Sequence, residues 1–142
     1  MLRIHHIGYI VEDIENAARD FIGLELIKLV RDKKQNADLA LYKSINDNIF
    51  VEFIKPLNSD SFTWRYLKDD NLSIHHICYS GIDYKNLEFK IKEKKYMKIK
   101  GPIYASLFDR DVCFVMSRNK LLIEFILWAK LYLLEEVHLQ KK

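Results

Sequence analysis

Ile4-His5-His6-Ile7-Gly8-Tyr9 and Ile74-His75-His76-Ile77-Cys78-Tyr79 are one word written twice, 70 residues apart. A second pair keeps the same order and nearly the same spacing, Val51-Glu52-Phe53-Ile54 and Ile123-Glu124-Phe125-Ile126. Each His-His word is followed by an Asp suited to capping a helix, Asp13 in Glu12-Asp13-Ile14-Glu15-Asn16 and Asp83 in Ile82-Asp83-Tyr84-Lys85-Asn86. The chain is therefore expected to repeat a βαβββ unit within an α+β fold.

Working outward from those words, the first half predicts a strand at about 3 to 11 and a helix at about 13 to 22 ended by Gly23. Strands follow at about 25 to 32, 37 to 44 and 48 to 55, with Asn46-Asp47-Asn48 turning between the last two. The second half predicts a strand near 73 to 80, a helix near 83 to 95, and strands near 97 to 104, 110 to 117 and 120 to 127. Gly101-Pro102 interrupts the first of those three. The halves are joined by a turn-rich linker, 57 to 72, in which Phe62 to Lys68 has the apolar spacing of a short helix. Strong helix formers after Ile126 predict a C-terminal helix at about 127 to 140. One domain over 1 to 142 is expected.

Alternation along a strand sends His6 and Gly8 to one face and Ile7 and Tyr9 to the other. By the same parity His76 goes with Cys78, and Glu52 and Glu124 point away from their bulky neighbours Val51, Phe53, Ile123 and Phe125. A carboxylate inside an apolar strand is costly to bury unless it is paired or bound to a metal. Two such carboxylates, each matched by a histidine in its own repeat, point to a pseudo-twofold site of His6, Glu52, His76 and Glu124. That donor set suits one divalent ion, Co, Mn, Ni, Fe or Zn. His5 and His75 fall on the opposite face, where an ordinary hydrogen-bonded structural role is expected. His138 reads as solvated, and Phe62, Trp64, Tyr66, Phe114, Phe125 and Trp128 read as core or interface.

Composition narrows the function classes. With 49% hydrophobic residues in 142, there is ample material for a core. Lys+Arg at 23 against Asp+Glu at 20 gives a formal charge of +3, and Lys92, Lys94, Lys95 and Lys98 form a short solvated run rather than a basic face with interleaved aromatics. No nucleic-acid partner is expected. Cys78 and Cys113 are too far apart for a CxxC motif and read as reduced core thiols. The chain opens on a strand-like segment rather than a signal-peptide pattern, and its longest apolar stretch, Leu121 to Leu134, is broken by Glu124 and Lys130. A cytoplasmic location without membrane contact is the expectation.

Taken together, Ile4-His5-His6-Ile7-Gly8, Val51-Glu52-Phe53-Ile54-Lys55-Pro56-Leu57, Asp60-Ser61, Ile74-His75-His76-Ile77 and Leu122-Ile123-Glu124-Phe125 resemble the vicinal oxygen chelate superfamily. That group includes glyoxalase I, extradiol dioxygenases, bleomycin-resistance proteins and methylmalonyl-CoA epimerase, and the likeness is greatest to the epimerase-like branch. The resemblance implies a cupped, partly closed mixed sheet with helices outside, a homodimer, and metal binding by His6, Glu52, His76 and Glu124. It implies a metal-dependent isomerase, epimerase or lyase acting beside a carbonyl, on a small-molecule substrate such as a coenzyme A thioester, with Glu124 as the base. Epimerases of this type carry a second Glu after the second strand. Here Lys34-Gln35-Asn36-Ala37 stands there, with Gln35 or Asn36 nearest the place and Asp38 close by, and an amide takes up no proton usefully near neutral pH. The alternative is a small-molecule binding or resistance protein on the same fold.

Overall fold

The computed structural model describes residues 1–67 and 72–128. Its elements run β1 (Arg3–Ile10), α1 (Ile14–Ala18), β2 (Leu24–Asp32), β3 (Ala37–Ser44), β4 (Phe50–Pro56), a 3₁₀ turn (Trp64–Tyr66), β5 (Ser73–Ile82), α2 (Tyr84–Lys94), β6 (Met97–Ala105), β7 (Arg110–Met116) and β8 (Leu122–Leu127). The βαβββ order thus occurs twice in an α+β fold. The expected C-terminal helix at about 127 to 140 lies outside the described residues, save that Leu127 closes β8 instead of opening a helix. The linker helix is reduced to the single 3₁₀ turn, and residues 68–71 are likewise not described.

The described residues cluster into two compact units whose borders differ from the repeats: one within Ile4–Cys78, and one of Met1–Arg3 with the described residues from Tyr79 onward. In the first, the strand order is β2-β3-β4-β1-β5, the last represented by its opening residues. β1 runs parallel to β4 with Gly8 beside Glu52 and Tyr9 beside Phe53, while β2, β3 and β4 are antiparallel. The sheet is therefore mixed. Val51 and Phe53 turn to a core with Val11, Ala17, Ala40 and Tyr42, against which Tyr9, Ile14 and Phe21 pack. Asp13 caps α1 by accepting from the Asn16 amide at 2.8 Å. The helix is shorter than its sequence predicts. The Asp20 and Phe21 amides donate three residues back, to Ala17 and Ala18, which tightens the chain and lets the Phe21 ring meet Tyr9 and Phe53 at 5.5 and 5.6 Å between centroids.

The second unit contains the end of β5 and then β8-β7-β6. α2 begins at Asp83, whose side chain accepts from the Asn86 amide at 2.7 Å, and ends at Lys95 in the left-handed conformation. Its fully buried Leu87 packs with Ile82, Cys113, Val115, Ile123, Phe125 and Leu127. β6 continues through Gly101-Pro102 with register shifts on either side of Lys100. Gly101, at φ +105°, brings the backbone so near β7 that a Cβ would lie 2.4 Å from the Val112 carbonyl oxygen.

Candidate metal centre

Three of the four singled-out side chains meet within the Ile4–Cys78 unit. His6 sits in the middle of β1, His76 early in β5 and Glu52 in β4, all buried. The His6 and His76 Nε2 atoms are 3.0 Å apart, and Glu52 Oε1 lies 3.6 Å from the first and 3.2 Å from the second. Gly8 makes the approach possible: a Cβ there would fall 2.2 Å from Cε1 of the His76 ring. The register that sets Gly8 beside Glu52 also puts the carboxylate under the two imidazoles.

Ligand atoms about 2.1 Å from a first-row divalent ion lie about 3.0 Å apart at neighbouring octahedral positions and about 3.4 Å apart at tetrahedral ones. The three observed edges, 3.0, 3.2 and 3.6 Å, span those values. Two imidazole nitrogens this close repel through their lone pairs unless a cation or a shared proton lies between them, so the residues fit a metal ion. Burial alone would raise the Glu52 carboxyl, but the polar contacts from His6 and His76 overcome it and hold the group at about 2. It is an anion throughout the physiological range.

Glu124 belongs to the other unit. It stands in β8 opposite Phe114, is 4% exposed, and alternates with Ile123 and Phe125 so that it faces away from their apolar core. That is the relation Glu52 bears to Val51 and Phe53.

His5 and His75 are hydrogen-bonded, as expected, and their partners are the site's own histidines. His5 Nδ1 lies 2.8 Å from His6 Nδ1, and His75 Nδ1 lies 2.9 Å from His76 Nδ1. Parity had separated them, but Nδ1 is only one bond from Cγ and reaches round the strand. The doubled histidine was the available signal. His5, His6 and Cys78 also bring donor atoms within 4.8 Å of one another, a grouping that shares His6.

Among the described residues around Gln35, the carboxylates are already engaged. The Gln35 amide donates to Asp32 at 3.0 Å, Asn36 is bonded to Asn58, and Asp38 accepts two hydrogen bonds from Arg31 at 2.8 and 3.1 Å. The Arg31 hydrogen bonds hold the Asp38 carboxyl below its ordinary value. Lys98 is turned to the Tyr84 hydroxyl at 2.7 Å. Among the described residues no helix is long and apolar enough to cross a membrane.

The profile described as Glyoxalase/Bleomycin resistance protein/Dioxygenase superfamily matches residues 5–114. Among solved structures, a hypothetical protein from Bacillus halodurans C-125 is 21% identical with a TM-score of 0.77, over 91% of this chain and 96% of that one. Methylmalonyl-CoA epimerase from Mycobacterium tuberculosis is 16% identical with a TM-score of 0.76, over 92% and 91%. A variant of the Streptomyces coelicolor methylmalonyl-CoA epimerase in complex with 2-nitronate-propionyl-CoA is 21% identical with a TM-score of 0.73, over 90% and 98%. Likeness at these identities is likeness of fold. No curated protein matches the sequence.

Proposed function

The chain belongs to the glyoxalase/bleomycin resistance protein/dioxygenase superfamily, and on that premise we propose that it is a metal-dependent isomerase or lyase acting beside a carbonyl, with acyl-thioesters as the substrate class. The convergence of His6 Nε2, His76 Nε2 and Glu52 Oε1 within 3.6 Å carries the reading. Structural likeness to methylmalonyl-CoA epimerases, including one complexed with an acyl-CoA analogue, supports the substrate class.

In this reading His6, Glu52 and His76 hold the ion, and Glu124 is the fourth ligand by its place in the repeat. Bound there, a divalent ion would supply Lewis-acid stabilisation of negative charge on the substrate's carbonyl oxygen. With substrate bound, Glu124 loosens from its ligand place and takes the proton from the carbon next to that carbonyl. It then delivers the proton to another carbon in an isomerisation or to the departing group in an elimination. With Gln35 held by Asp32 and Asp38 by Arg31, the second proton donor of a two-base epimerase has no counterpart among the residues considered for it. One base is enough for isomerisation or elimination, which is why those reactions are preferred to inversion of a stereocentre. The homodimer implied by the resemblance is part of the proposal and is tested by sedimentation.

Elemental analysis of protein purified without chelator should find about one equivalent of a divalent ion, lost in the His6→Ala/His76→Ala double variant. Acyl-thioesters and 2-oxo acids incubated with the loaded protein in deuterium oxide should then exchange the proton beside the carbonyl, and Glu124→Gln should abolish exchange while leaving the fold intact. Exchange retained in Glu124→Gln would remove its role as base. The same departures at Gln35 and Asp38 also favour a second reading, a protein that sequesters a small molecule without transforming it. Tight ligand binding by metal-free protein with no exchange would decide for that reading.

A further inference from the structure

We propose that His5 and His75 are positioning residues for the metal centre: each engages the Nδ1 of the next imidazole in the chain, His6 or His76, and leaves its Nε2 as the lone-pair donor. The inference rests on the metal-binding reading above and extends it to two residues outside the donor set.

The arrangement occurs twice with nearly the same geometry. The Nδ1–Nδ1 distances are 2.8 and 2.9 Å, and the rings of each doublet stand edge to face at 5.1 Å, inclined by 82° in one and 86° in the other. Two adjacent side chains have many ways to pack, so one geometry repeated in two copies indicates a shared constraint. The outer rings are themselves braced. His5 stacks on Phe50 at 4.6 Å and 6°, and His75 meets Tyr66 edge-on at 5.2 Å and 65°.

A neutral imidazole carries one N–H. If Nε2 of His6 is to present a lone pair, its hydrogen sits on Nδ1 and must be donated. The atom at 2.8 Å is His5 Nδ1, which accepts only when the His5 hydrogen is on its own Nε2. Of the two donor directions each contact allows, ligation through Nε2 requires the inner Nδ1–H to donate to the outer Nδ1. In the second doublet this leaves the His75 hydrogen on Nε2, a buried atom with no hydrogen-bond partner among the described residues. In that direction the doublet holds the ring angle that aims His6 and His76 at Glu52. Partners of this kind behind a metal-ligating histidine set its tautomer and raise its basicity.

The test uses His5→Phe and His75→Phe, which keep a flat ring against Phe50 or Tyr66 but remove Nδ1, and His5→Asn and His75→Asn, which return an amide oxygen near that position. Cobalt(II) is titrated into metal-free protein, followed by its visible absorption and by chelator competition. Long-range ¹⁵N–¹H spectra of the zinc-loaded protein, which is diamagnetic, read which ring nitrogen of His6 and His76 keeps its hydrogen. Each Phe variant should bind cobalt about 10- to 100-fold more weakly at unchanged far-UV circular dichroism, each Asn variant should recover most of that loss, and wild-type spectra should show Nδ1–H at His6 and His76.

Phe variants that bind like the wild type would overturn the proposal while leaving the metal centre standing. Complete loss without rescue by Asn would make His5 or His75 a ligand and overturn it too. Should a Phe variant fail to fold, the wild-type spectrum decides, an Nε2–H tautomer at either inner histidine being fatal. A wild type that binds no cobalt would instead sink the metal reading, and this one with it.

Discussion

Gly8 shows how far one hydrogen atom in place of a side chain can shape a site. A Cβ at this position would lie 2.2, 2.6 and 2.7 Å from Cε1, Nδ1 and Nε2 of His76, so the imidazole has to swing aside while the strand backbone can stay where it is. Gly8→Ala is expected to weaken divalent-metal binding by about 10-fold or more, as loss of ligand orientation does, with unchanged far-UV circular dichroism; calorimetric titration with cobalt measures it. The burial of the inner histidines and of both glutamates was legible from the sequence, because each carboxylate alternates with bulky apolar neighbours in its strand and is matched by a histidine in its own repeat. The close approach at Gly8 was legible only as a small residue beside a histidine. The turn of His5 and His75 toward their neighbours was not, since period-two parity treats a strand as a flat ribbon and ignores how near Nδ1 lies to the backbone.

Among the elements, the strands followed their sequence patterns closely because turn residues and alternation limit them at both ends. β3 begins and ends where its pattern does, at Ala37 and Ser44. Helix ends were less legible. Asp13 and Asp83, which the sequence predicts as caps, both accept an amide three residues on, but α1 stops at Ala18 because Phe21 is drawn into the aromatic contact with Tyr9 and Phe53. That long-range contact overrides local propensity, and nothing near Gly23 signals it. The longer α2 should depend measurably on its cap. Asp83→Ala is expected to destabilise the protein by about 1 kcal/mol in urea unfolding; an unchanged midpoint would show that the packing of Leu87 alone holds the helix.

For the whole molecule, the repeats read from the sequence and the compact units seen in the structure divide the chain at different places. The repeats begin at their His-His words, whereas the units part between Cys78 and Tyr79, inside β5. Each unit carries one buried, reduced cysteine, Cys78 in the first and Cys113 in the second. Burial pushes the Cys113 thiol up from 9.0 to about 11, so it stays protonated near neutral pH and is a poor nucleophile. Its raised value contributes stability that is full below the unfolded value of 9.0 and lost as pH rises through about 11. Ellman titration at pH 8 should find no fast-reacting thiol in the native protein and two after denaturation, and a prompt single equivalent would show that one unit opens readily. The seam in β5 also bears on a chain cut in two. A piece ending at Leu67 keeps His6 and Glu52 but lacks the opening residues of β5, and with them His76. A separately made piece starting at Leu72 would have to lend that strand back, so the cobalt spectrum becomes a signal for reassembly of the two pieces.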